Sequence, residues 1–210
     1  IRGVAIPPKP APPTYFNNDI GEDPWNRNGY FNKYNRNKLG MCMNILMDEG
    51  RKVFMELAAL ADVVVENFGG GVFERMGYGY DVLRSVNEDV VFVSMPPSGN
   101  GGPEAKYVGY GVAIEQLGGI VARTGYIGDY APMKTGINYG DPIAGMHTAS
   151  YIMTALMHRK KTGRGQYIDL SQREATIGWV GESVLEWQMT GEDPTWIGNR
   201  DRYMAPSGVY

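Results

Sequence analysis

Ligands for soft metals are scarce in this 210-residue sequence, which has one cysteine, Cys42, and two histidines. A single cysteine excludes a disulfide within the chain and favours a reducing, cytoplasmic compartment. A structural zinc site takes about four Cys or His ligands, so we expect no metal site. The sequence also lacks the phosphate-binding pattern G-x-x-x-x-G-K-[ST], which argues against a generic nucleotide-binding module.

Positive charge is not in excess, since 20 Lys and Arg against 23 Asp and Glu give a net charge of −3. Nucleic-acid binding normally needs a concentrated basic face, so this balance argues against a nucleic-acid partner. No apolar run approaches the roughly 20 residues that span a bilayer, so we expect no membrane partner. With 43% hydrophobic and 20% charged residues, the composition is that of a globular protein.

Short runs of β-branched residues predict the strands of a parallel sheet. Residues 61–68 and 89–94 are near-continuous apolar runs, which are typical of strands buried on both faces. Residues 166–170 predict a third strand, whereas residues 1–30 are rich in Pro, Asn and Asp and predict an extended segment. Strands that alternate with helices predict an α/β fold with right-handed crossovers.

Helical periodicity separates these strands, with predicted helices after Asp48 and over residues 72–76, 80–86, 110–117 and 172–189. The strongest helix begins at Asp141-Pro142 and ends at Gly163. Apolar residues at steps of three and four predict that one stripe of this helix faces the core. The predicted stripe is Ile143, Met146, Ser150, Met153 and Met157.

Several segments, taken in order, carry a family resemblance. They are residues 35–38 (NRNK), 48–51 (DEGR), 61–68 (ADVVVENF), 74–77 (ERMG), Ser94 with 99–103 (GNGGP), 140–145 (GDPIAG), 158–166 (HRKKTGRGQ) and 169–175 (DLSQREA). Each alone is a weak signal. Together, over about residues 30–180, the chain resembles the class III CoA-transferase family.

This resemblance implies a Rossmann-like parallel sheet with flanking helices, the large domain of such an enzyme. We therefore expect an extended segment over 1–30, a CoA-binding and catalytic domain over 31–180, and a helix with the start of a linker over 181–210. The chain is expected to be a piece of a longer protein, with the second, smaller domain largely missing. The family also implies a homodimer or heterodimer of interlocked subunits.

Asp141 is the catalytic residue that the resemblance implies. In the family, the matching aspartate attacks an acyl-CoA thioester to form an anhydride, and CoA then forms an aspartyl-CoA thioester. The substrates are thus an acyl-CoA and a small carboxylic acid, and no tightly bound cofactor is expected. The local pattern alone favours another role, because Asp followed by Pro is also a good helix N-cap.

The resemblance places the CoA-binding residues at the end of the first strand, in the segment that follows it, and at the start of the helix at 110–117. They are Asn67, Phe68, Val72, Arg75 and Tyr110. The strand ends in a Gly-rich turn that can expose backbone N–H groups, and an arginine stands one helical turn further on to meet a phosphate. Without the resemblance, a plain turn and a solvated arginine explain the same residues.

Three residues are expected to line the active site, namely Gly111, Met43 and Leu46. Two of them, Gly111 and Leu46, depart from the family pattern. Formyl-CoA transferase has Tyr-Glu where this chain has Tyr110-Gly111, so a smaller side chain makes room for a bulkier acyl group. Leu46 stands where many members carry a lysine, so one phosphate contact is lost.

The function implied is the transfer of CoA from an acyl-CoA donor to a carboxylic acid acceptor. An acyl-CoA racemase or isomerase of the same family is an alternative, but the histidine that the racemase branch carries near residue 110 is absent here. A second alternative is a non-catalytic subunit of a heteromeric CoA-transferase. The retention of Asp141 in its motif argues against this alternative.

Overall fold

The computed structural model describes residues 15, 17, 19–128, 130–193 and 195–209. The strands are β1 (Val63–Glu66), β2 (Val91–Ser94) and β3 (Tyr167–Asp169). The helices are α1 (Pro24–Arg27), α2 (Gly29–Tyr34), α3 (Asp48–Leu60), α4 (Tyr80–Arg84), α5 (Gly111–Leu117), α6 (Gly140–Thr162), α7 (Gln172–Gly178) and α8 (Gly181–Thr190). A π turn spans Glu74–Tyr78 and a 3-10 turn spans Val121–Arg123. The predicted α/β class is confirmed.

The chain separates into two units, residues 1–51 and 52–210. In the first unit, the extended conformation expected up to residue 30 is wrong from Pro24 onward. Proline stands at the start of α1, where its fixed φ favours a helix. The Asn28 side chain caps α2 by accepting bonds from the backbone N–H groups of Tyr30 and Phe31. Residues 1–14, 16 and 18 of the predicted segment lie outside the described residues, and the predicted domain boundaries stay predictions.

In the second unit, the three strands form a parallel sheet in the order β1-β2-β3. Glu66 pairs in register with Ser94, and Ser94 pairs with Asp169. The central strand β2 is buried along its whole length, as predicted. Burial on both faces is wrong for β1, where Val65 is 48% exposed. β1 lies at an edge of the described sheet.

One face of the sheet packs against α6. Val91 and Val93 form the buried core of this layer together with Ala155 of the helix. The stripe predicted to face the core is wrong beyond Ile143, since Met153 and Met157 are 62% and 61% exposed. The buried face instead carries small side chains, which let the helix approach the sheet closely. Its buried residues are Gly140, Ile143, Ala144, Thr148 and Ala155.

The opposite face of the sheet carries an aromatic cluster. The Phe92 ring stacks on Phe73 and Tyr167, with centroids 5.8 Å and 5.4 Å apart. Tyr80 stacks on Tyr167 at 5.6 Å, so α4 covers the end of β3. Such ring pairs stabilise a core beyond the area they bury. This cluster fixes the segment that follows β1 against the sheet.

The helix predicted over residues 172–189 is two helices, α7 and α8, interrupted at Trp179 and Val180. Gly178 and Gly181 flank the interruption, and glycine disfavours a helix interior by about 1 kcal/mol relative to alanine. The start of α7 is fixed by Ser171, whose hydroxyl accepts a bond from the Glu174 N–H at 3.2 Å. Within the described residues, no helix is long and apolar enough to cross a membrane.

The connection from α6 to β3 depends on a close backbone contact at Gly165. A β-carbon at this position would lie 2.1 Å from the Val90 carbonyl oxygen. We therefore expect Gly165→Ala to lower the free energy of unfolding of the full-length protein by about 1–3 kcal/mol. Chemical denaturation measures this loss.

Gly145→Ala is the matched control, because no atom lies within 4 Å of its added β-carbon. Gly145 stands inside α6, so alanine should be neutral or stabilising by up to about 1 kcal/mol. Equal stability of the two variants would contradict the close contact at Gly165.

Candidate active site

The first turn of α6 rests on one face of α5. Gly111, Ile114 and Glu115 are spaced by three and four residues, so they share a helix face. A β-carbon on Gly140 would lie 2.7 Å from Ile114 Cγ2, so this approach requires glycine. The two helices together fix the position of Asp141, the predicted catalytic residue.

Asp141 is the second residue of α6, and its carboxylate lies against Gly111. Although the residue as a whole is exposed, burial of its carboxyl group raises the pKa above the ordinary value. Within the described residues, the carboxylate forms no ion pair. A carboxylate that is partly desolvated and has no cation bound to it is suited to attack an electrophile.

The alternative in which Asp141 caps α6 is wrong, because Tyr139 occupies the N-cap position and Asp141 is already helical. The start of a helix favours a negative charge, but burial of the carboxyl group raises the pKa of Asp141. The space that Gly111 was expected to free for an acyl group is also taken. A β-carbon there would lie 2.4 Å from Asp141 Oδ2, so the aspartate itself fills it.

The carboxyl ends of the three strands carry a polar network, which is buried at Glu66 and Ser94. The Ser94 hydroxyl donates to the Glu66 carboxylate, which also accepts from the Phe68 N–H at 2.7 Å. The Asn100 side-chain amide donates to Ser94 Oγ at 2.8 Å and to Asp169 Oδ1 at 3.0 Å. Burial raises the pKa of Glu66, the bonds from Ser94 and Phe68 oppose this shift, and the charge of Asp169 adds to it.

A cavity of about 440 Å³ opens beside this network. Ligands of open parallel sheets bind at this carboxyl edge. The lining residues are Glu66, Gly71, Phe73, Glu74, Gly79, Tyr80, Asp81, Val82, Phe92, Ser94, Asn100 and Tyr167. Three carboxylic acids in this lining disfavour a phosphate, whereas the aromatic rings suit a flat or apolar group. Asp141 is not among the lining residues.

The predicted CoA-binding residues after β1 lie in the segment that follows the strand, and none of them is among the lining residues of this cavity. Phe68 stacks on Phe73 at 5.9 Å and stays 45% exposed. Arg75 is exposed, and its guanidinium donates to the Gly70 carbonyl at 3.4 Å. Val72 is half-buried and Asn67 is exposed.

Three backbone N–H groups in and next to the Gly-rich turn at residues 69–71 are bonded within the protein. Gly71 N–H donates to Asn100 Oδ1 at 2.8 Å, and Val72 N–H donates to the Gly69 carbonyl at 3.0 Å. Phe68 N–H is held by Glu66. These three amides are therefore not free to bind a phosphate, whereas the Arg75 side chain is exposed.

The remaining predicted residues fall in two places. Tyr110 is 72% exposed at the N-cap of α5, directly before Gly111 and therefore close to Asp141. Met43 and Leu46 belong to the 1–51 unit, and their place in the active site stays a prediction. No cluster of three or more His, Cys, Asp or Glu side chains able to hold a metal ion occurs in the described ranges.

Sequence reasoning missed Glu115, which is fully buried. Its carboxylate accepts bonds from the N–H groups of Thr135 at 2.8 Å and Tyr139 at 3.0 Å. One signal was present in the sequence, since Glu115 shares a helix face with Gly111 and Ile114. An acidic residue on such an apolar face is rarely buried without a partner.

The parallel sheet with flanking helices is the architecture of CaiB/BaiF proteins. The chain aligns with the crystal structure of a CAIB/BAIF family protein from Brucella suis with a TM-score of 0.73 and 32% identity. The alignment covers 78% of this chain and 43% of the Brucella chain.

A family model described as CoA-transferase family III matches residues 15–210, and the chain belongs to this family. It is 35% identical over 182 residues to an acetyl-CoA:oxalate CoA-transferase of Acetobacter aceti. It is 34% identical over 184 residues to a succinyl-CoA:mesaconate CoA-transferase of Haloarcula marismortui. These alignments cover 86% and 85% of this chain but 46% of each relative, so the chain spans about half their length.

The raised pKa of Asp141 predicts a stability change on Asp141→Asn. Burial disfavours the ionised form, so at about pH 7 the carboxylate destabilises the folded state. The variant should therefore have a higher Tm than the unsubstituted protein at this pH. The gain should vanish as the pH falls below the ordinary Asp pKa of about 3.9, where both states are protonated.

Thermal unfolding of the full-length protein at about pH 7 and at a pH below about 3.9 measures the difference in Tm between the variant and the unsubstituted protein. Asp193→Asn, at an exposed position, is the control and should change the Tm little. A lower Tm of Asp141→Asn at neutral pH would show that the carboxylate stabilises the fold, as a cap does.

Proposed function

We propose that the protein containing this chain transfers CoA from an acyl-CoA to a carboxylic acid, with Asp141 as the nucleophile. The observation that carries the proposal is the Asp141 carboxylate, which is partly desolvated, unpaired among the described cations and held at the start of a 23-residue helix. The names of the two relatives support this reaction type, and oxalate and mesaconate are the first acceptors to test.

The proposed reaction needs only acyl transfer to and from one carboxylate. Asp141 attacks the thioester carbonyl, CoA thiolate leaves, and a mixed anhydride forms. The thiolate then attacks the aspartyl carbonyl, which releases the first acid and leaves an aspartyl-CoA thioester. The acceptor carboxylate attacks this thioester and displaces the thiolate. Attack of the thiolate on the acceptor acyl group then forms the new acyl-CoA and restores Asp141.

The trapping experiment uses the full-length protein with acetyl-CoA, succinyl-CoA and formyl-CoA. After a hydroxylamine quench, peptide mass spectrometry should find a hydroxamate on Asp141. Asp141→Asn should lower kcat by about a thousandfold or more, because the covalent nucleophile is lost. The same change at Asp193, an exposed aspartate, should leave the rate unchanged.

Other outcomes separate the alternatives. Exchange of the substrate α-proton with solvent, without CoA transfer, would favour a racemase or isomerase. CoA binding with no adduct on Asp141 for any thioester would favour a non-catalytic subunit. Either result would overturn the proposal.

Arg75 is proposed to bind a phosphate of CoA, because it is the exposed cation next to the turn that follows β1. Arg75→Ala should weaken CoA binding by about 1–3 kcal/mol, as expected when a charged hydrogen bond is lost. Isothermal titration calorimetry measures the affinity. Arg200→Ala removes an exposed arginine elsewhere and should leave the affinity unchanged.

Pantetheine, which lacks the phosphates, provides a second control for the same variant. The affinity for pantetheine should be the same for the Arg75→Ala variant and for the unsubstituted protein. An Arg75→Ala protein that binds CoA normally would place the phosphate site on other residues.

A further inference from the structure

The segment that leads into α6 is held by one buried side chain of α5. Glu115 Oε1 accepts a bond from Thr135 N–H, and Glu115 Oε2 accepts one from Tyr139 N–H. One carboxylate thus fixes two points of the chain within the six residues before Asp141. Because Glu115 is fully buried, these bonds are shielded from water and are stronger than they would be at the surface.

The segment between these two points contains a turn directly before α6. Asn138 has φ 52°, in the left-handed region, which asparagine adopts more readily than most other residues. Asp141 N–H donates to the Asn138 carbonyl at 3.3 Å, so the turn closes directly onto the candidate nucleophile. A change in the bonds at Thr135 or Tyr139 therefore moves the turn, and the turn moves Asp141.

Glu115 also replaces a cap that α6 does not supply itself. The N-cap residue Tyr139 makes no side-chain capping bond. The first N–H groups of a helix need acceptors, and a negative charge near them is stabilising. Glu115 provides an acceptor from a neighbouring helix, which leaves the Asp141 carboxylate out of the capping role.

We propose that Glu115 is a positioning residue that holds the Asp141 carboxylate in its reactive place without touching the substrate. The proposal rests on the proposed role of Asp141 as nucleophile. Attack on a thioester requires a reactive oxygen placed within a fraction of an ångström, and a displacement of about 1 Å can cost about a hundredfold in rate. Glu115 acts through the two backbone bonds described above.

The test is Glu115→Gln in the full-length protein. Glutamine keeps the size of the side chain but replaces one acceptor oxygen by an N–H₂ group, which then faces a backbone N–H. We expect kcat for CoA transfer to fall by about 10- to 100-fold while KM for the acyl-CoA stays within about twofold. Glu182→Gln, the same change at an exposed position of α8, should leave both constants unchanged.

A second readout separates positioning from folding. In a single turnover, the rate of adduct formation on Asp141 per CoA-binding subunit should fall by the same factor in Glu115→Gln. A variant with a lower Tm and fewer competent subunits, but a normal adduct rate per competent subunit, would overturn the proposal. Absence of the adduct in the unsubstituted protein would instead contradict the role of Asp141, and this inference with it.

A third measurement needs no variant and covers the case in which Glu115→Gln fails to fold. Hydrogen exchange of the unsubstituted protein should show the Thr135 and Tyr139 amides protected, although both residues lie in or next to a loop. Rapid exchange of these two amides would show that Glu115 does not hold them and would overturn the proposal.

Discussion

The close approach of α5 to the first turn of α6 is the constraint on which the candidate site depends. A β-carbon on Gly111 would lie 2.4 Å from Asp141 Oδ2, and one on Gly140 would lie 2.7 Å from Ile114. A larger residue at either position would separate the helices or turn the aspartate away. Only with the helices this close can the buried Glu115 side chain reach the backbone in front of α6.

The parallel register of the sheet creates the second polar region. Because parallel strands end at the same edge, Glu66, Ser94 and Asp169 lie side by side. Burial raises the pKa of Glu66, and repulsion by the nearby Asp169 carboxylate adds to this shift. Asn100 reduces the cost by donating to both Ser94 and Asp169, and this ties the loop after β2 to the edge of the sheet.

Features that depend on neighbouring residues in the sequence were predictable. Features that depend on the surface against which a helix packs were not. The buried strand β2 and the end of α6 at Gly163, which has φ 70°, follow from local residue types. The face of α6 that meets the sheet does not, because periodicity allows several stripes and the structure buries the small residues instead of Met153 and Met157. The catalytic role that its motif predicts for Asp141 stays a prediction, and the bonds made by Glu115 become visible only where the two helices meet.

The proposed role of Asp141 as a nucleophile accounts for the presence of Glu115 beside it. A carboxylate that caps a helix accepts N–H bonds, and these bonds lower its pKa and occupy the lone pairs that would attack a substrate. Asp141 instead lies one position inside the helix, where burial raises its pKa. The acceptor that the start of α6 requires comes from Glu115. Because the neighbouring helix supplies this acceptor, the Asp-Pro sequence that resembles a cap leaves its carboxylate available for chemistry.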